Sequence, residues 1–560
     1  MTHRTNSRRT RTVLALLLAA GTPTVTVADP AGVEVIAQTG TSTANGTMSG
    51  FFVMPSINGA GQVAWFAFLQ GTALGERDNV VQFRGVPGVI TEMSRKGDAA
   101  PGGNGIVDGP NLPCINDAGA MCGTMYYAGT SGGEADNAGV AIGSGGALTE
   151  VMRQGQPMPD NNGTFGFIDS VHLGATGYAT FYSSAEDALP DFVNGIFRGN
   201  GGPISTLVRS GDPAPGGPGT ISFVYQDLAM NPSGAVAFFA AIDGAPDQFH
   251  DTGHFRTDGV TTIQIAREGQ PSPDGNGQLY EGIGIGHGVS INSSGAVAFY
   301  SPLLGTSGGT TDDSAIFRGS GGPLTRIARE GQAAPGGDGV ISSFGAPVLL
   351  NNGTAVFTAF LIGTSGGSNN DEAILSGNGG ALATVVRDGQ PAPGGDGVLD
   401  MGYFTHWSAN PTGEMSILID LKDTQSAGEH ENGIYFHRPG QPLREIARTG
   451  TPMLGSIVKN VGAGAHFEGP EITPINQQGQ ISFWFELADG REGIARFTPP
   501  PFCPGDFNND GARDTADLVL LLSKFGQAVA PYSTGEMTGD TTVNTSDLVQ
   551  FLAVFGMNCR

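Results

Sequence analysis

The chain has 560 residues, 39% of them apolar and 14% charged, the composition of a globular protein with cores to bury. A net charge of −25 with only four lysines excludes a nucleic-acid binder that works by neutralising phosphates. No segment reaches the ~20 consecutive apolar residues of a membrane span, so no stable membrane insertion is expected.

The first element in chain order is a segment at 1–28. Arg4, Arg8, Arg9 and Arg11 precede an apolar run at 13–20 and a small-residue site ending at Ala28, the three-part layout of a secretory signal peptide. Arg8 and Arg9 after Ser7 leave a twin-arginine route open beside the general one. Removing this segment deletes four arginines and no acid, which takes the net charge from −25 to −29. A secreted or cell-surface protein is expected, with a field that attracts cations.

Residues 29–498 read as a repeat domain. The marker R-x-G-[QD]-x-x-P recurs with its glycine at Gly40, Gly97, Gly155, Gly211, Gly269, Gly331, Gly389 and Gly450, spaced 57, 58, 56, 58, 62, 58 and 61 residues apart. A fixed period of this length signals repeat architecture. Each copy holds four short runs of alternating or β-branched and aromatic residues, clearest at 223–230, 235–241, 253–256 and 262–267, and nothing in them is long enough for a helix. An N-x-x-G turn at Asn58, Asn116, Asn231, Asn292, Asn410 and Asn476 joins the first two strands as a hairpin. The third and sixth copies depart from it, with Gly174 to Gly177 and Asn351 to Gly353.

Four strands per period predict a mainly β fold, a β-propeller-like domain of eight blades. The ends of the array favour a ring over a solenoid. Residues 32–40 (GVEVIAQTG) are a lone fourth strand, and the last copy stops after its third strand at Phe497, so the N-terminal strand is predicted to close the eighth blade and remove the open edges.

Within the repeats, the marker arginine (Arg95, Arg153, Arg209, Arg267, Arg329, Arg387, Arg448) is expected to bond a neighbouring blade's carbonyls or carboxylate, since it recurs in nearly every copy. The string G-T-S-G-G at Ser131, Ser307 and Ser365 matches a nucleophile pattern literally but sits in a loop between strands, so no catalytic residue is assigned. The same loops collect acids, among them Glu76, Asp78, Glu134, Asp136, Asp187, Asp191, Asp247, Asp251, Asp312, Asp313, Asp371, Glu372, Glu429, Glu431, Asp489 and Glu492. They read as a solvated rim or, more sharply, as an acidic annulus for cations. The four cysteines are expected to form two disulfides, Cys114 with Cys122 across the second copy's hairpin and Cys503 with Cys559, in preference to thiols or metal ligands. The G-x-P-A-P-G and N-x-x-G-x-V-A-F signatures over residues 32 to about 499 resemble a family of bacterial secreted repeat proteins of undefined function, which supplies no catalytic residues.

Pro499, Pro500 and Pro501 open a stiff linker at 499–502, and 503–560 changes composition. Two segments 30 residues apart align, DFNNDGARDTADLVLLLSKFG from Asp506 and EMTGDTTVNTSDLVQFLAVFG from Glu536. The first sets oxygen ligands in an EF-hand calcium-loop layout: Asp506, Asn508, Asp510, the Ala512 carbonyl, Asp514 through a water, and Asp517. The second offers Glu536, Thr538, Asp540, the Thr542 carbonyl, Asn544 and Asp547, a weaker set. Apolar stripes at Leu518, Leu521, Leu522 and Phe525, and at Leu548, Phe551, Leu552 and Phe555, predict two helices that pack these faces as core.

The paired loops and the D-L-x-x-x-L-x-x-F-G helices resemble a type I dockerin. That resemblance implies Ca2+ as the bound ion, a cohesin-like protein as partner, and partner contacts at Thr515, Ala516, Thr545 and Ser546. Ala516 departs from the usual hydroxyl pair, which puts the cohesin contact in question.

The expected function is therefore a secreted binding or scaffolding protein, linked to polysaccharide catabolism and displayed through a calcium-dependent tail. The alternative is an extracellular polysaccharide-degrading enzyme, a glycoside hydrolase or lyase with the same tail. A propeller enzyme should carry unusual polar residues in one or two blades only.

Overall fold

The computed structural model of the chain describes residues 30–560 except 52–53, 111–113, 187–192, 245–250, 281–287, 403–404, 426–430, 464–472, 501–502, 509–510, 528, 530–534, 539–541, 558 and 560. The expected signal peptide, the metal-ligand candidates Asp510 and Asp540, and the loop acids Asp187, Asp191, Asp247 and Glu429 lie outside the described residues.

The repeat folds as an eight-bladed β-propeller. In blade 4, Thr220–Met230, Val236–Asp243, Thr252–Thr257 and Thr262–Arg267 pair antiparallel in chain order. The other blades occupy 42–95, 106–153, 164–209, 278–329, 340–387, 398–448 and 452–497. Middle strands such as VAFFAAID at Val236–Asp243 are buried almost throughout, because a neighbouring blade covers each face. The first strand of blade 6 is broken into Val340–Phe344 and Val348–Leu349, whereas those of blades 3 and 4, Thr164–Leu173 and Thr220–Met230, run continuously.

The ring closes as the array's ends predict. The closing strand Val33–Gln38 pairs antiparallel with Glu492–Phe497, from Val33 opposite Phe497 to Gln38 opposite Gly493, and so completes blade 8. The core lies in layers between blades. One layer joins Tyr182, Ile196 and Val208 of blade 3 to Val224, Phe238 and Phe255 of blade 4. Another joins Trp484 and Ile494 of blade 8, and Ile36 and Ala37 of the closing strand, to Trp65 and Phe83 of blade 1.

Two sets of hydrogen bonds run from blade to blade. The buried turn asparagines donate from Nδ2 to the carbonyl at the equivalent place one blade on: Asn58 to Asn116, Asn116 to Gly174, Asn231 to Asn292, Asn292 to Leu350, Asn410 to Asn476, and Asn476 back to Asn58, at 2.8–3.1 Å. This turn-to-turn circuit places the first strands innermost. Third-strand arginines make the second set: Arg84, Arg198, Arg256 and Arg318 donate to the carbonyls of Gly119, Gly234, Gly295 and Gly353, and Arg496 closes the ring on Gly61 at 2.7 Å.

Because the strands alternate in direction, these turns share one face of the ring. The loops between second and third strands share the other with the inter-blade connections. All eight marker glycines adopt φ between 76° and 93° there, a conformation that side chains disfavour, which explains why the marker keeps Gly.

The described residues of 503–560 include two helices, α1 (Thr515–Ser523) and α2 (Thr545–Val554). Their core is narrow. Leu521 and Phe551 are fully buried with Val543, and Leu518 and Leu548 pack partly against them. The expectation that both stripes are wholly core is corrected: Leu522 is 50% exposed, Leu552 54%, Phe525 45% and Phe555 39%. Helices of nine and ten residues turn under three times, so each can bury only one seam against the other.

Candidate metal centre

Each C-terminal helix begins at a residue that caps its free N–H groups. At α1 the Asp514 side chain accepts from the Ala516 N–H at 2.7 Å, while Asp517, three residues on, accepts the Asp514 N–H at 3.0 Å, a capping box. The second oxygen of Asp517 accepts the N–H groups of Phe507 and Asn508 at 2.6 and 3.1 Å, which folds the loop back over the helix start. Asn544 and Asp547 repeat this at α2: Asn544 accepts from Ser546 at 2.7 Å, and Asp547 accepts from Asn544, Met537 and Thr538 at 2.8, 2.7 and 3.0 Å. The two units are therefore duplicates in hydrogen bonding as well as in sequence, 30 residues apart.

Among the described residues of this small module four carboxylates are buried: Asp506, Asp517, Glu536 and Asp547. Acids are almost never buried without compensation. Part of it comes from backbone N–H groups, including the Gly511 N–H donated to Asp506 at 2.9 Å and the Thr538 N–H donated to Glu536 at 2.8 Å. Burial opposes ionisation of Asp547, but the N–H groups of Met537, Asn544 and Thr538 outweigh it and hold the carboxyl below its usual range. Acceptor-only oxygens gathered at two loop starts and two helix starts are a donor set that fits a hard divalent cation. Asn508, Thr538, Ala512, Asp514, Thr542 and Asn544 are half-buried or exposed around them. Thr515, Ala516, Thr545 and Ser546 are exposed at the first turns of the two helices.

Cys503 and Cys559 are joined by a disulfide, Cα atoms 5.2 Å apart, which ties the ends of the module. The Cys559 sulfur lies 3.4 Å from Asp506. Both sulfurs belong to that bond, so this trio is no thiolate metal site. Cys114 and Cys122 stand directly opposite each other on adjacent strands, the placement the expected cross-strand pair requires, with their sulfurs 2.6 Å apart.

Around the ring, the marker arginines are structural. Arg153, Arg267, Arg329, Arg387 and Arg448 donate to carbonyls of the connection entering their own blade, at 2.8–3.1 Å. Arg95, Arg153, Arg329 and Arg387 also reach the loop between second and third strands, at 2.7–3.2 Å. Arg153, Arg329 and Arg387 thus each clamp two loops of one face. The G-T-S-G-G strings lead into 3-10 turns at Gly133–Ala135, Gly309–Thr311 and Gly367–Asn369, without a strand-to-helix elbow. Ser131, Ser307 and Ser365 donate their N–H groups to Asn104, Asn276 and Asp338 at 2.7–2.8 Å.

Two of the described loop acids are held within their own turns. Asp136 and Asp312 close their own turns through the N–H groups of Gly132 and Gly308 at 3.0–3.1 Å and accept from Asn104 and Asn276 at 2.7 Å. The hydroxyls of Thr130 and Thr306 are the largest influence holding these two carboxyls low. Blades 3 and 4 carry a departure that the periodic reading missed: Asp169 is half-buried in a first strand, at a bulge where Ser170 takes φ 48°. Burial pushes the Asp169 carboxyl up and the charge of Asp227 adds to it, against the Ser170 N–H. The other residues missed are the third-strand arginines, whose signal was the F-R-G triplet at Arg84, Arg198 and Arg318; Arg256 stands in F-R-T and Arg496 in A-R-F.

A family model described as "Family of unknown function (DUF7453)" matches residues 18–109 and 107–497, nearly the whole of the ring. No curated protein matches the chain. Similar solved structures include the β-propeller domain of the Trilobed protease from Pyrococcus furiosus, at 8% identity and TM-score 0.35, covering 72% of this chain and 100% of that one. An oligogalacturonate lyase in complex with manganese matches at 12% identity and TM-score 0.35, over 82% and 99% of the two chains. The polysaccharide lyase Uly1 matches at 11% and 0.36, over 70% and 89%. At these scores the likeness carries nothing about activity.

Proposed function

The chain belongs to DUF7453, a family of unknown function, and we propose that it is a secreted, non-enzymatic binding or scaffolding protein, its ring displayed through a calcium-dependent, dockerin-like tail. The observation that carries the reading is the duplicated loop–helix unit, with buried carboxylates at matching places: Asp506 and Glu536 at the loop starts, Asp517 and Asp547 at the helix starts. Asp506, Asn508, Asp510, the Ala512 carbonyl, Asp514 and Asp517 would hold one Ca2+. Glu536, Thr538, Asp540, the Thr542 carbonyl, Asn544 and Asp547 would hold a second more weakly. The ion supplies positive charge that neutralises the buried acids and fixes each loop on its helix. The exposed first turns at Thr515, Ala516, Thr545 and Ser546 would then meet a cohesin-like partner.

The test is capture of partners from extracellular and envelope fractions by the intact protein and by a version truncated after Phe497, with calcium or with chelator. Capture is expected only with the tail present and calcium supplied; capture indifferent to both sinks the reading. A second reading, a polysaccharide hydrolase or lyase, is favoured by the half-buried Asp169 carboxyl at the blade 3 bulge, which feels the charge of Asp227 in blade 4. Release of reducing ends by the intact protein, lost in Asp169→Asn, would put an enzyme in place of the binder.

A further inference from the structure

The tail rests on the ring at blade 7. Arg438, at the end of the third strand there, donates to the Pro500 carbonyl at 2.9 Å and to Glu414 at 2.6 Å, with its guanidinium 5.2 Å over the Phe436 ring. Arg444, at the start of the fourth strand, lies 5.5 Å over the Phe497 ring and reaches the Ala31 carbonyl at 3.4 Å. Its Nη1 is buried and makes no hydrogen bond among the described residues. Arg438, Arg444, Phe436, Pro500, Cys503 and Asp506 line one cleft of about 30 Å3, room for one or two waters. Asp506 is the first residue of the first candidate calcium loop, so two guanidinium groups of the ring share a nearly dry cleft with a ligand of the tail. Burial depresses the Arg444 pKa and the charge of Arg438 adds to that, while Asp506 opposes both.

From this arrangement we infer that Arg444, supported by Arg438, competes with a divalent cation for Asp506, so that the ring lowers the affinity of the first loop and cation binding loosens the tail from blade 7. The inference rests on the calcium reading above. In a cleft with little water the attraction between the guanidinium groups and the carboxylate is weakly screened. A cation in the loop takes the charge of Asp506 for itself and leaves the two arginines facing each other. Linkage makes the effect reciprocal: whatever docking costs the cation, the cation costs docking.

The test is calorimetric titration of the full chain with Ca2+, alongside small-angle scattering with and without the ion. The comparison is between wild type, Arg444→Gln and the charge-retaining Arg444→Lys. Expected are two binding events in wild type, the tighter one strengthened about tenfold in Arg444→Gln and unchanged in Arg444→Lys. The radius of gyration should rise on calcium addition in wild type and be raised already without calcium in Arg444→Gln. Two calcium ions bound with the same affinity in wild type and Arg444→Gln would overturn the inference and leave the calcium reading standing. An Arg444→Lys protein that behaves like Arg444→Gln would overturn it too, by showing that packing over Phe497 and not charge is at work. Absence of any calcium binding in all three proteins overturns the calcium reading and this inference with it.

Discussion

His172 lies in the first strand of blade 3, buried, and burial holds its pKa at about 4 even though a hydrogen bond with the Leu228 carbonyl opposes this. An unfolded histidine titrates near 6.5. Above that pH the ring is neutral in both states and its contribution to stability is fully present. Between about 6.5 and 4 the unfolded chain takes up a proton that the folded one refuses, so stability falls with falling pH, by about 3 kcal/mol once pH 4 is reached. Denaturant unfolding at pH 7.5 and 4.5 should show His172→Gln losing about 2.5 kcal/mol less than wild type over that interval; equal losses would refute the assignment. At this scale the sequence is informative where a residue type recurs: the marker arginines and glycines were legible as structural because they repeat. His172 was not, because a histidine without a period gives no sign of whether water reaches it.

The N-x-x-G hairpin is the smallest element that does more than its sequence announces. Asn and Gly at fixed spacing suffice to read a turn, and in blade 5 Asn292 does accept the N–H groups of Ser294 and Ala296 at 3.1 and 3.0 Å. Its amide also donates to Leu350 of the next blade at 3.1 Å, and nothing in the sequence marks that acceptor, since every residue has a carbonyl. Asn292→Ala leaves the buried Ala296 N–H without its acceptor and the Leu350 carbonyl with only the Gly353 N–H, and should cost about 2 kcal/mol. Asn292→Asp separates the two roles, because it keeps the acceptor within the turn and removes the donor between blades; it should cost about as much as Asn292→Ala by denaturant unfolding. An Asp variant as stable as wild type would mean that the inter-blade bond contributes nothing. The C-terminal helices failed in the opposite sense. Apolar spacing located both, but it could not tell that a two-helix module buries a seam rather than a face, and so Leu522, Phe525, Leu552 and Phe555 were expected inside and stand outside.

At the scale of the whole molecule, the seat of the tail on blade 7 was not legible, because it depends on Arg438 and Arg444, which lie outside the repeated pattern. Ring closure was legible, because it depends on how the array ends: a fourth strand at the start and a missing fourth strand at the finish. The closure is made twice over. The closing strand adds backbone pairing along Glu492–Phe497, flanked by Thr39 donating to Glu492 and Thr498 to Gly32 at 2.8 Å. Separately, Asn476 and Arg496 of blade 8 donate to Asn58 and Gly61 of blade 1 at 2.8 and 2.7 Å, and the Ser482 hydroxyl donates to Pro55 at 3.0 Å. Deleting residues 32–39 removes the first set and the buried side chains of Ile36 and Ala37, and leaves Glu492–Phe497 as an open edge. The second set keeps the ends near each other but covers no apolar surface, so the deletion should lower the melting temperature by about 10 °C and promote association. A synthetic peptide spanning 30–41, added in excess, should restore part of the loss, since strand addition needs only the pairing and the apolar contacts. Melting curves of the intact protein, the deletion and the deletion with peptide decide the matter. In a linear array, strand 33–38 would merely fray from one end, so a fall of about 2 °C or less, or no response to the peptide, would show that the closing strand does not hold the ring.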